Sequence, residues 1–160
     1  MPILLHYLMS TNQKKKNSMK RTSTAIWQGS GKEGSGNLTT QTNTLNKTSY
    51  NWVSRFADGT QTNPEELIAA AHAGCFSMKL SFLLGDAGFT PEKIETTSTV
   101  TIEGGVITGS HLVVNVKAPG ISREKLQECA ENAKVNCPVS KALAAIAITM
   151  ELAPAEKEMA

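Results

Sequence analysis

With 40% hydrophobic and 19% charged residues, a chain of 160 residues carries enough apolar material for one folded core, which excludes a disordered or collagen-like class. A formal net charge of +2 is too small to mark a nucleic-acid or membrane-surface protein, and 5% aromatics with no alternating aromatic and basic stretch exclude a base-stacking platform. Three cysteines, an odd number without a C-x-x-C, read as free thiols in a reducing cytosol rather than as a secreted disulfide framework.

The first eighteen residues run from a short apolar start into a lysine cluster, the reverse of a secretory signal. Residues 1–18 are therefore expected to be a disordered extension, with Met19 a second candidate start and 19–160 a single cytoplasmic domain. No apolar run approaches the roughly 18 residues needed to cross a bilayer. Residues 22–28 and 37–45 have short, alternating β-like patterns, separated by a turn over 29–36, and 50–56 is a candidate third strand. A strong helix signal follows, with Asn63 as N-cap, Pro64 at the first position and Glu66 at N3. That helix is expected to run to about Leu84 and to stop at Gly85 or Gly88. Leu67, Ala71, Cys75, Met78 and Phe82 recur at helical spacing, which places Cys75 on a buried stripe.

Two β-rich runs, 94–103 and 106–117, meet at Gly104-Gly105, a type I′ hairpin signal. Ser122 caps a second helix to about Val135, with Leu126, Cys129, Ala130 and Ala133 on its apolar side. Pro138 starts a short third helix with Cys137 at its N-cap, residues 146–152 form a closing strand, and the end beyond Ala153 frays. The order is that of an α+β domain: sheet, long helix, hairpin, helix, strand.

Chemistry-bearing residues are few, and each has a plainer reading beside the functional one. Cys75 on an apolar stripe is either a small core hydrophobe or a thiol held for use. Cys137, between a helix end and a proline, is either an ordinary cap or a thiol whose anion the helix N-terminus favours. Cys129, mid-helix among small apolar residues, belongs to the core. His72 and Cys75 are spaced H-x-x-C, but Cys129 and Cys137 are eight apart, which is poor structural-zinc spacing. His72 is expected to be a half-exposed helix residue. Arg55, among apolar neighbours, is either a solvated strand charge or a functional cation, and Glu65 at N2 is already explained by the helix dipole.

The segments Ser54-Arg55-Phe56, the ordered block from Thr62-Asn63-Pro64-Glu65-Glu66 through Ala71-His72-Ala73-Gly74-Cys75-Phe76-Ser77-Met78, Gly85-Asp86-Ala87-Gly88-Phe89-Thr90-Pro91 and Asn136-Cys137-Pro138-Val139-Ser140 together resemble the OsmC/Ohr hydroperoxide reductases. The likeness covers roughly residues 19–152 and is nearest the osmotically inducible OsmC branch. It implies antiparallel sheets wrapped around long central helices in an intertwined homodimer, and an organic hydroperoxide substrate in oxidative or osmotic stress defence. It also implies site roles: Cys75 as peroxidatic thiol, Cys137 as resolving thiol, Arg55 and Glu65 as their supporting pair. The N-terminal extension and Cys129 have no counterpart in the pattern.

Under that resemblance Cys75 attacks the peroxide as thiolate, and because apolar burial opposes the thiolate it needs a cation, for which Arg55 aimed by Glu65 is the candidate. The Cys75 sulfenic acid condenses with Cys137, and an external dithiol, of lipoyl type by the resemblance, restores both. No metal, haem or flavin is required. Phe56, Phe76, Met78 and Phe82 suit an alkyl or fatty-acid peroxide. The competing reading is a redox-responsive binding protein that forms the same disulfide without useful turnover.

Overall fold

The structure, a computed structural model, describes residues 18–57 and 59–154. The expected extension over 1–18 falls almost wholly outside these residues, as does most of the expected frayed end. Strands β1 (Ser23–Gln28), β2 (Ser35–Thr40) and β3 (Thr48–Asn51) form an antiparallel meander, paired Ser23↔Thr40 to Gln28↔Ser35 and Ser35↔Asn51 to Leu38↔Thr48. Gly29 takes φ +89° in the first turn, a conformation open to glycine. The Trp27 and Tyr50 rings meet at 5.3 Å across the sheet.

The third strand ends earlier than expected. Residues 50–56 divide into the end of β3 and a one-turn helix α1 (Val53–Phe56). The cause is a local exchange of hydrogen bonds that competes with strand pairing: Ser54 N donates to Asn51 Oδ1 at 2.9 Å, and Ser54 Oγ to the Asn51 carbonyl at 2.8 Å.

Helix α2 (Pro64–Asp86) starts as its sequence dictates, with Asn63 Oδ1 accepting from Glu66 N at 2.8 Å. The other end of the same amide, Asn63 Nδ2, donates to the Ser54 carbonyl at 2.7 Å, so one side chain caps α2 and fixes α1 against its first turn. The helix ends in a Schellman motif: Gly88, at φ +87°, bonds to Gly85 O, and Phe89 N bonds back to Leu84 O at 2.9 Å.

Strands β4 (Lys93–Glu103) and β5 (Val106–Lys117) form the expected hairpin, with Gly104 and Gly105 both at positive φ and a register shift at Thr101/Ile102. The chain then crosses through α3 (Arg123–Asn136) and α4 (Pro138–Ala142) before β6 (Ala147–Leu152) pairs with β5 in parallel. This second sheet is thus mixed, not purely antiparallel, because a helical crossover returns the chain to the edge from which β5 began.

The core lies between this sheet, α2 and α3: Phe76, Leu80 and Leu84 meet Leu112, Val114, Leu126, Ala130, Ala133 and Leu152. The buried stripe of α2 is therefore His72, Phe76, Leu80 and Leu84, one step round the helix from the stripe read in the sequence. Ala71, Met78 and Phe82 are exposed, Leu67 and Cys75 half-buried. His72 is fully buried, not half-exposed. The 23-residue α2 is also long and apolar enough, by length and composition, to span a membrane, against the expectation of no such run, although only 22% of its most apolar stretch is buried within the chain. It is the central helix of this core, with a second apolar face left open.

Gly88 and Gly85 separate conformational from steric effects. Gly88→Ala should lose about 1 kcal/mol, since alanine is strained at φ +87°. Gly85→Ala, where a Cβ meets nothing within 4 Å, should gain up to about 1 kcal/mol of helix propensity. Chemical denaturation of both variants checks the pair.

Candidate functional site

Four residues were singled out in the sequence, and the fold gathers them into two pairs. Arg55 and Glu65 form the first. Because Asn63 ties α1 to the start of α2, Arg55 lies over the first turn of that helix, where its Nε is 3.2 and 3.3 Å from the two Glu65 carboxylate oxygens and its Nη2 is 2.6 Å from Oε1. The hydrogen bonds from Arg55 hold the Glu65 carboxyl below the usual carboxylate range, with burial opposing, and Glu65 in turn raises the arginine. Glu65 is buried while Arg55 remains half-buried, its guanidinium 5.0 Å from the Phe56 ring.

Cys75 and Cys137 form the second pair. Cys75 lies mid-α2 and is half-buried; Cys137, between α3 and α4, is fully buried. Cys75 packs against the core cluster that contains Cys137. Burial pushes the Cys75 thiol up, and the neighbouring Cys137 thiol adds to this, against a smaller opposing effect of the Val139 N–H. Burial acts upward on Cys137 as well, but the Ser140 N–H, the Cys75 thiol, the Ser140 hydroxyl and the Val139 N–H outweigh it, and the net direction is down. Cys137 is the N-cap of α4 without a side-chain cap hydrogen bond, and the N–H groups of that first turn favour its anion.

The two pairs do not meet. Among the described residues Arg55 hydrogen-bonds to Glu65 and not to Cys75. Glu65 and Cys75 are separated by ~15 Å along α2, which places the Arg55–Glu65 pair and the thiols at different levels of the helix. Phe76, expected to line a substrate path, is core; Phe56, Met78 and Phe82 remain on the surface. Cys129 is buried in α3, as read.

Sequence reasoning passed over a further group. His72 bonds through Nδ1 to Ser110 Oγ at 2.7 Å and through Nε2 to Ser140 Oγ at 2.9 Å, and Ser110 Oγ lies 3.2 Å from Ser98 Oγ. With both ring nitrogens engaged by serines, the H-x-x-C spacing holds no ligand pair, and among the described residues no cluster of three His, Cys, Asp or Glu could hold a metal ion. The signal was phase. Ser110 alternates with Leu112 and Val114, and Ser98 with Val100, so both are polar at core-facing strand positions.

Comparison with known proteins agrees with this architecture. The family described as OsmC-like protein matches residues 57–152. The chain is 45% identical over 125 residues to peroxiredoxin OsmC of Escherichia coli, covering 76% of this chain and 87% of that protein. It is 38% identical over 88 residues to the organic hydroperoxide resistance protein OhrB of Bacillus subtilis, covering 52% of this chain and 62% of the other. The crystal structure of the Bacillus subtilis protein superposes with a TM-score of 0.62 at 27% identity over 82% of this chain and 98% of that one. An OsmC-like protein from Mycoplasma pneumoniae shares the fold, with a TM-score of 0.68 at 12% identity over 86% of this chain and 99% of its own. By the matched residues and the identity over most of its length, the chain belongs to the OsmC-like family.

Proposed function

We propose that this protein is a thiol-dependent peroxidase that reduces organic hydroperoxides to alcohols. Relatives named peroxiredoxin OsmC and organic hydroperoxide resistance protein support a peroxidase-type redox role. The observation that carries the finer reading is the packing of a half-buried thiol, Cys75, against the core cluster that holds a fully buried one, Cys137.

Access assigns the roles. Cys137 is the more acidic thiol but has no exposed surface, so a peroxide reaches Cys75. The Cys75 thiolate attacks one oxygen of R–O–OH; the O–O bond breaks, the alkoxide leaves and takes a proton to become ROH, and Cys75 becomes the sulfenic acid. Cys137 attacks that sulfur, the S–O bond breaks, water leaves and the Cys75–Cys137 disulfide forms. An external dithiol, of lipoyl type in this reading, reduces the disulfide by exchange and is itself oxidised. The chemistry balances without a metal, haem or flavin, and such a thiol system fits a cytoplasmic setting.

A second copy of the chain supplies what one copy lacks. The open face of α2 presents small residues, Ala70, Ala71 and Gly74, followed by Met78 and Phe82. The β1–β3 meander is exposed along all of β1, and a three-stranded sheet needs an apolar partner to be stable. Two α2 helices packed antiparallel about a two-fold axis near Ala70, midway between Glu65 and Cys75, put the Arg55–Glu65 pair of one subunit beside the thiols of the other. There the guanidinium stabilises the Cys75 thiolate and then the developing alkoxide.

One equivalent of organic hydroperoxide should give an intramolecular Cys75–Cys137 disulfide, with Cys75→Ser inert and Cys137→Ser halted after about one turnover as sulfenic or overoxidised acid. Peptide mapping reads this, and a dominant bridge to Cys129, or full steady turnover by Cys137→Ser, contradicts it. Arg55→Lys should be nearly as damaging as Arg55→Ala to the second-order rate constant with peroxide, because a planar fork holds Glu65 and the reacting atoms together. Near-normal activity in the lysine variant would mean that charge alone suffices.

A further inference from the structure

A file of polar side chains crosses the core beneath α2. His72 is fully exchanged from water into the interior, in phase with Phe76, Leu80 and Leu84, where an aliphatic residue would fill the space without any polar group to satisfy. Its ring is held at both nitrogens, by Ser110 Oγ at 2.7 Å from β5 and by Ser140 Oγ at 2.9 Å from α4. Ser98 of β4 extends the file behind Ser110 at 3.2 Å. At the other end Ser140 is buried in the first turn of α4, three residues after Cys137, the N-cap of that helix, and its hydroxyl is among the groups that lower the Cys137 thiol.

Proton counting gives this file a direction. Each hydroxyl has one proton to give, and a neutral imidazole has one N–H and one bare nitrogen. If Ser140 gives its proton to the Cys137 sulfur, its oxygen is free to accept from His72 Nε2–H. Nδ1 is then bare and accepts from Ser110, whose oxygen accepts from Ser98. The other tautomer reverses every bond: bare Nε2 takes the Ser140 proton, and Cys137 faces an oxygen lone pair. A doubly protonated ring is opposed by burial, which lowers His72, with no hydrogen-bonded carboxylate to offset it among the described residues. The groups around the ring are Cys75 one turn along α2, Ser140 of α4 with Cys137 at the N-cap of that helix, and Ser110 with Ser98 on the sheet; the Arg55–Glu65 pair lies ~10 Å away along the helix.

We propose that His72, as the neutral Nε2–H tautomer, is a positioning residue for Cys137: it fixes the Ser140 hydroxyl so that its proton points at the Cys137 sulfur and keeps that thiol ready as thiolate to close on Cys75. In the closing step Cys137 S⁻ attacks the Cys75 sulfenic sulfur, the S–S bond forms, the S–O bond breaks, and the departing hydroxide takes a proton to become water. The step rests on the peroxidase reading above; the relay itself rests on the buried geometry.

Two measurements on the reduced protein test it without peroxide. In histidine-¹⁵N-labelled protein, with His72 assigned through His72→Gln, two-bond ¹H–¹⁵N correlation should show Nε2–H, and an Nδ1–H ring overturns the proposal. In Cys75→Ser/Cys129→Ser protein, where Cys137 is the sole thiol, ultraviolet thiolate absorbance should titrate about one unit higher after Ser140→Ala or His72→Leu, a tenfold loss of thiolate at a fixed pH below the midpoint. His72→Gln, whose amide can still donate towards Ser140, should recover part of that shift. A midpoint unmoved in folded Ser140→Ala and His72→Leu also overturns it. Should both readouts appear as expected while cumene hydroperoxide leaves no sulfenic acid on Cys75, the relay stands and the peroxidase reading falls.

Discussion

The structure depends on how α2 is covered. This helix is apolar most of the way round, and its own chain covers one face of it, through Phe76, Leu80 and Leu84 against β4, β5 and α3. That burial sets the rotation of the helix and therefore where everything else on it points. His72 is turned into the sheet, Cys75 towards α4, and Ala71, Met78 and Phe82 outward. An apolar face of this extent is costly to leave in water, and its small residues allow a second helix to approach closely.

The two ends of the proposed chemistry are built from opposite physical requirements. Arg55 and Glu65 need rigidity, which Asn63 provides by capping α2 with its oxygen and gripping α1 with its nitrogen. The thiols need contrast. Cys75 is half-buried and burial pushes its thiol up, while Cys137 is fully buried but has N–H groups and a hydroxyl that favour its anion. In a single chain the two thiols therefore lie together and apart from the Arg55–Glu65 pair.

Much of this was legible in the sequence, and the exceptions have physical causes. Both long helices and their caps could be read because Asn63-Pro64 and Ser122 act within one turn. The Gly104-Gly105 hairpin was equally local. The end of β3 was misjudged because the Asn51–Ser54 bonds defeat a β-like composition over 50–56. The buried stripe of α2 was placed on its outward face because the helix is apolar on two faces, and periodicity alone cannot tell which one the chain's own sheet will take. For the same reason His72 was read as half-exposed. The parallel placement of β6 depends on the α3–α4 crossover, which no local pattern in 147–152 encodes. For the candidate site, the Arg55–Glu65 pair and the two thiols came from ordered motifs. The serines around His72 went unseen because they are distant in sequence and individually unremarked.

A mixed dimer assembled from Cys75→Ser chains and Arg55→Ala chains, isolated through two different tags, shows most directly whether two subunits share a site. If the pair of one subunit serves the thiols of the other, one of the two sites in that dimer keeps both an intact Arg55 and an intact Cys75, and about half of the wild-type peroxidase activity returns from two inactive parents. A mixed dimer as inactive as its parents would show that Arg55 must reach Cys75 within its own chain, against the arrangement argued above.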